Sequence, residues 1–230
     1  MDIDFTSFFK RYEDLSTACG TVFQKVKSEH KDCVKCRIEC ADCCHAVFDL
    51  SLIEAIYINY HFNRLYKEAD RNRLLEKANR ADRTVYRLKR NAYRDLESGK
   101  NEVEILNALA MERVRCPLLD ENNRCELYAH RPITCRLYGI PTSIAGKGHT
   151  CGLSGFKEGR PYPTVKLEKI QQQLYEISAD LVRSIKSRHV KMAELLVPLS
   201  MALLTDYDKT YLGINSDESS DDTNKGENNE

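Results

Sequence analysis

Between residues 4 and 28, Phe5, Phe8, Phe9, Tyr12, Leu15, Cys19, Val22, Phe23 and Val26 recur at spacings of three and four. That period places one apolar stripe along a helix and predicts an amphipathic helix over 4–28. Ser51-Leu52-Ile53-Glu54 has the form of a capping box and opens a second helix that runs to about Leu65. A charged helix is expected over 67–96, with a narrow seam of Leu74, Ala78, Ala81, Val85, Leu88, Ala92 and Leu96 in near-heptad steps. A seam that thin suits a helical hairpin or a partner helix better than a deep core. Ser98-Gly99-Lys100-Asn101 ends it, with Gly99 at a plausible position just past the helix.

A short helix follows over 102–113. Residues 114–164 carry Pro117, Pro132, Pro141, Pro161, Pro163 and six glycines, and read as irregular chain. So long an irregular stretch is uncommon in a compact domain unless something orders it, and a bound metal would do so. Helix returns over 165–188, where Ile170, Leu174, Ile177, Leu181 and Ile185 share one side, and Pro198 divides two further apolar pieces. From Asn215 on there is no apolar side chain to bury, so the tail is expected to be disordered. The expected fold class is mostly α: one domain over 1–213 with an irregular cysteine-rich insert containing a short β-hairpin, followed by an acidic tail over 214–230.

Composition narrows the function. Lys plus Arg and Asp plus Glu both number 35, so the chain offers no global field for nucleic acid or an anionic membrane. The arginines of 67–96 are interspersed with Glu68, Asp70, Glu76, Asp82 and Asp95 and read as a solvated face; nucleic acid is disfavoured, and a protein partner along this helix is the alternative. No segment reaches the roughly 18 apolar residues of a membrane span. The acidic Met1-Asp2-Ile3-Asp4 start lacks the pattern of a signal peptide, and a cytoplasmic location is expected. In such a reducing compartment, ten cysteines point to metal before disulfides.

Those cysteines fall into two groups. The first is Cys33-x2-Cys36-x3-Cys40-x2-Cys43-Cys44 and the second is Cys116-x8-Cys125-x9-Cys135-x15-Cys151. Thiolates are soft, charged donors that bind zinc and iron well, and two of them separated by two residues can point at one metal. The spacing of the first group also fits one face of a packed helix, and a disulfide framework is a further alternative. Adjacent Cys43 and Cys44 diverge in any regular backbone, which suits a polynuclear cluster or two metals better than one ion. Metal ligands are therefore expected among nine candidates: Cys33, Cys36, Cys40, Cys43, Cys44, Cys116, Cys125, Cys135 and Cys151. Cys19, on the apolar stripe, reads as a buried small hydrophobe. Arg131 and Arg136 flank Cys135 and could donate hydrogen bonds to a bound cluster. His45, His130 and His149 read as incidental neighbours. Asp120 to Arg124 reads as a hairpin turn between two short strands. No glycine-rich phosphate loop or Ser–His–Asp pattern is visible, and no reaction class follows.

Cys36…Cys40-x2-Cys43-Cys44, followed by Cys116-Pro-Leu-Leu-Asp, Arg-Cys125-Glu-Leu-Tyr and Arg131-Pro132-Ile-Thr-Cys135-Arg136, resembles the YkgJ-type cysteine-cluster proteins, with their zinc- or iron-chelating CxxCxxCC domain. The resemblance spans roughly 33–151 and departs at one point, where three residues rather than two separate Cys36 from Cys40; it implies ligands among Cys36, Cys40, Cys43, Cys44, Cys116, Cys125, Cys135 and Cys151, with Cys33 an extra candidate. It implies a bound metal, either an iron–sulfur cluster (a 4Fe–4S cluster favoured) or zinc. A branch of that family, the flagellin lysine N-methylases, is similar around the cysteines, which extends the expectation to redox or modification chemistry. A structural zinc protein or metal chaperone is the alternative.

Overall fold

The structure is a computed structural model that describes residues 3–214. The expected acidic tail, from Asn215 on, lies outside the described residues.

The central element is α2 (Leu52–Leu65), buried on every side from Leu52 to Asn59. A helix apolar all round belongs inside a core, and its two polar exceptions are both bonded. Asn59 Nδ2 donates to Ala202 O at 3.0 Å and to Thr205 O at 2.9 Å. Glu54, treated below, is the other.

Around α2 pack α1 (Thr6–Glu29), α6 (Leu167–Ser184) and the short α7 (Leu199–Leu204). The helix α1 buries Phe8, Phe9, Tyr12, Cys19, Phe23 and Val26 as its period requires, while Val22 stays exposed. Leu174, Ile177 and Leu181 of α6 complete the core, and Ser178 Oγ accepts the Ile53 N–H at 3.2 Å. The capping box therefore forms only in part. Ser51 Oγ donates to Glu54 Oε2 at 3.4 Å, and an amide of the first turn is met by α6 instead.

The charged helix α3 (Glu68–Glu97) buries Leu74, Ala78, Ala81 and Val85 but not Leu88, Ala92 or Leu96. Its neighbour α7 is only six residues long and covers half of the seam. The far half turns back into α4 (Glu102–Met111), which buries no side chain, so the two helices form a projecting hairpin.

Short strands complete the fold. β1 (Asp49–Ser51) pairs antiparallel with β5 (Leu196–Pro198), Leu50 opposite Val197. β2 (Thr142–Ile144) lies between β3 (Lys147–His149), antiparallel, and β4 (Val165–Lys166), parallel. The regular hairpin is β2–β3. The 120–124 turn closes a single bridge, Leu119 to Cys125, without flanking strands, because Asp120 Oδ1 takes up the amides of Asn122 and Arg124. Within 114–164 a five-residue helix, α5 (Ile133–Leu137), carries Cys135. No helix among the described residues is long and apolar enough to cross a membrane.

Candidate metal centre

The two cysteine groups are joined by backbone. Cys116 N donates to Cys44 O at 2.7 Å, Val114 N to His45 O at 2.9 Å, and Ala46 bridges Arg113. Residues 113–116 thus run antiparallel to 44–46 and lay the second group against the first. The first group is not a helical stripe. Cys33, Cys36 and Cys40 lie in a loop with bonds of the turn type, and Cys43 and Cys44 ride a single 3-10 turn, Asp42–His45. That tight turn lets neighbouring side chains share one space.

Eight cysteines line one cavity of about 250 Å³: Cys36, Cys40, Cys43, Cys44, Cys116, Cys125, Cys135 and Cys151. Cys19 is buried in the helical core and Cys33 is not part of the lining. Apolar walls come from Phe23, Phe48, Val85 and Leu118. The ionic lining is Lys27, Arg37, Arg115, Arg131 and Arg136, with no carboxylate.

Cys43 lies beside Cys135 and Cys44 in this cavity. The neighbouring Cys135 and Cys44 thiols, with Arg131 nearby, pull the Cys43 thiol down, while the same proximity and burial drive Cys44 and Cys135 far above the ordinary thiol range. Burial pushes Cys116 up to about 12 and raises Cys125. Burial likewise pushes Cys36 and Cys151 up to about 11.

A repeated local geometry accompanies these sulfurs. The amide two residues on donates to the sulfur at Cys116 (from Leu118), Cys125 (from Leu127) and Cys151 (from Leu153, 3.4 Å). N–H donors aimed at sulfur stabilise a thiolate and orient it as a ligand. The sequence carries the pattern openly as Cys-x-Leu at 116–118, 125–127, 135–137 and 151–153. Leu118, Leu127 and Leu137 are buried and pin three of these turns to the core.

The arginines divide. Arg131 Cζ lies 3.9 Å from the centroid of the Tyr128 ring, and its Nε is buried without a hydrogen-bond partner among the described residues. An orphaned buried donor is rare, and here it belongs to a side chain of the thiol cavity. Arg136 instead spends Nε on Arg131 O at 3.2 Å and Nη2 on Ala129 O at 2.5 Å, bracing the loop before α5. The histidines are occupied elsewhere or exposed. His45 Nδ1 bonds Ala41 O, His130 stacks on His61 with centroids 3.6 Å apart, and His149 is exposed on β3.

Residues not foreseen also shape the site. Asp42 Oδ2 accepts from Cys151 Sγ at 3.2 Å and Asp42 Oδ1 is paired with Arg113 at 2.6 Å. Burial opposes the Asp42 charge, but these hydrogen bonds prevail and hold its carboxyl below the usual range. Gly139 lies so close to Cys36 Sγ that a Cβ there would collide with it.

The donor set fits a thiophilic metal: soft sulfurs, amides aimed at three of them, and cationic side chains to offset charge. Among the described residues no three His, Cys, Asp or Glu side chains stand close enough to hold an ion as they are. The sulfurs face a common space.

Loops from a helical core that gather cysteines around one cavity define a cysteine-cluster protein. The chain belongs to the CxxCxxCC family, described as "Putative zinc- or iron-chelating domain", whose profile matches residues 32–152, more than half of the chain. No curated protein and no solved structure matches it.

Proposed function

We propose that residues up to about 213 form one unit that holds an iron–sulfur cluster through thiolates drawn from the eight cavity cysteines, with Arg131 donating to the cluster and the protein acting in redox or modification chemistry. The observation that carries this reading is the orphaned Arg131 Nε at a cavity lined by eight cysteines and by cations without a carboxylate. An iron–sulfur cluster with four thiolates is an anion, and such a lining offsets its charge. When bound, the cluster supplies one-electron chemistry. The chain's own residues hold it, donate hydrogen bonds to its sulfurs and restrict water with Phe23, Phe48 and Leu118.

A cavity of about 250 Å³ is far larger than a single ion and favours a polynuclear centre over one structural zinc. Zinc in the same cysteines is the second reading. The amide-to-sulfur turns would serve it equally well. The test is anaerobic purification followed by iron, sulfide and zinc analysis with visible absorption. Iron and acid-labile sulfide in equal amounts are expected, and a colourless protein containing only zinc would overturn the iron–sulfur reading.

A further inference from the structure

We propose that the outer face of α3 binds single-stranded nucleic acid, with a stripe of arginines on its phosphates and two exposed tyrosines on its bases. This surface is separate from the metal centre and does not depend on the metal reading.

Arg80, Arg83, Arg87, Arg90 and Arg94 follow one another in steps of three and four, and all are exposed. That spacing lays them along one face of α3, opposite the seam of Leu74, Ala78, Ala81 and Val85. At 1.5 Å per residue the stripe is about 21 Å long. Glu76 and Glu97 stand beyond its two ends, and no acid lies between them on that face.

The balance of charge expected from the sequence is not met on this face. Asp70 pairs with Arg73, Asp82 accepts the Ser200 hydroxyl of α7 at 3.1 Å, and Asp95 holds Lys100 at 2.7 Å. Lys77 and Lys89 are paired as well, with Glu121 and Asp49. Among the described residues none of the five arginines makes an ion pair, and Arg87 Nη2 reaches only Thr84 Oγ1, at 3.5 Å. Like charges three and four residues apart destabilise a helix, so five in series call for a counter-charge from outside.

What else the face carries selects the polyanion. The centre of a protein–protein interface is depleted of charge, and between Arg80 and Arg94 this face has no aliphatic side chain to form one. A helix lying on a membrane needs an apolar face for the bilayer, and the seam of α3 is turned to α7 and α4. Guanidinium forks match phosphate oxygens two at a time. Tyr86 and Tyr93 border the arginines one heptad apart, 62% and 60% exposed. Open rings beside cations are the arrangement on which unpaired bases stack while the backbone is held, whereas the bases of a duplex are already stacked. Ala81 and Val85, on the far side of the helix, line the thiol cavity, so substitutions on the outer face leave the metal centre intact.

The test is fluorescence anisotropy of labelled oligouridylate and oligothymidylate, titrated with the full-length protein across a range of salt. At least one strand is expected to bind, and the logarithm of affinity should fall with the logarithm of salt at a slope of about −3.5, near −0.7 for each of five phosphates. Replacing Arg83, Arg87 and Arg90 together by Gln should weaken binding and flatten the slope by about 2. Tyr86→Ala and Tyr93→Ala should each weaken binding about tenfold with the slope unchanged. Circular dichroism and metal content should match the wild type in every variant. Failure of the wild type to bind either strand at low salt overturns the proposal, and this needs no variant to fold. Tighter binding to a duplex of the same length, to polyglutamate or to phosphatidylserine vesicles also overturns it. So does a folded arginine variant with the wild-type slope, or tyrosine variants with wild-type affinity.

Discussion

Glu54 Oε1, on the central helix, accepts the backbone N–H of Ile133 at 3.1 Å, at the first residue of the helix that carries Cys135. The same carboxyl takes the Tyr12 hydroxyl at 3.4 Å and the Ser51 hydroxyl at 3.4 Å. One buried acid therefore ties α1, α2 and α5 together, and the metal-bearing insert is seated on the helical core through it. Replacing Glu54 by Leu strands the Ile133 amide, at a cost of about 1–3 kcal/mol for an orphaned buried donor. Urea denaturation should show that loss, with Glu54→Gln milder because its carbonyl oxygen can still accept.

Burial raises the Glu54 carboxyl above its ordinary value despite those hydrogen bonds. A raised acid stabilises the fold below its unfolded-state pKa and loses that contribution as pH climbs through the folded value. The wild type should accordingly lose stability relative to Glu54→Gln as pH rises from about 4 towards neutrality. Denaturation midpoints for both chains across that window measure it, and a gap that stays constant would remove Glu54 as the cause.

Cys43, Cys44, Cys125 and Cys135 are expected to be indispensable. Serine at any of them exchanges a soft thiolate for a hydroxyl that stays protonated near neutral pH, and metal per chain should fall sharply. Cys19→Ser should cost about 1–3 kcal/mol by burying a hydroxyl in the helical core, yet leave metal content unchanged. Metal analysis of each variant purified without oxygen decides this. A Cys19→Ser protein with an empty site, beside a fully loaded Cys135→Ser protein, would reverse the ranking.

Gly139→Ala places a methyl group on Cys36 Sγ. The sulfur must swing away, and metal affinity should fall by about tenfold or more, as when a support behind a ligand is lost. Competition with a chelator of known affinity gives the value; an unaltered affinity would mean that Cys36 is not a ligand.

Removal of metal should leave α1, α2 and α6 protected and release the amides of residues 114–151, because binding free energy is folding free energy for segments that the ion orders. Hydrogen exchange of the two forms provides the comparison. Equal protection in both would mean that Glu54 and the buried leucines alone suffice.

The helices were legible because each follows from a period in its own residues: the Phe and Tyr stripe of α1, the Leu and Ile side of α6. The thin far half of the α3 seam was legible as well: Leu88, Ala92 and Leu96 stay out of the core, and the helix turns back into α4 as a hairpin. α5 was hidden by its five-residue length among prolines. Asp42 and Glu54 were illegible for a different reason: their partners Cys151 and Ile133 lie 109 and 79 residues away, and no local rule links them. Cys-x-Leu stands in the sequence, but its meaning lies in the amide that turns back to the sulfur, which only the backbone reveals.

The thiols that share the cavity come from segments separated by α2, α3 and α4, and this spacing sets a clock during synthesis. At roughly 5–20 residues per second, Cys43 and Cys44 wait on the order of ten seconds before Cys135 and Cys151 are made. Through that interval the first group is an open set of reactive sulfurs with neither its arginine nor its opposing loop. Oxidation of this protein is therefore a hazard chiefly of the nascent chain, and oxygen exposure during translation should damage it more than the same exposure after it has folded.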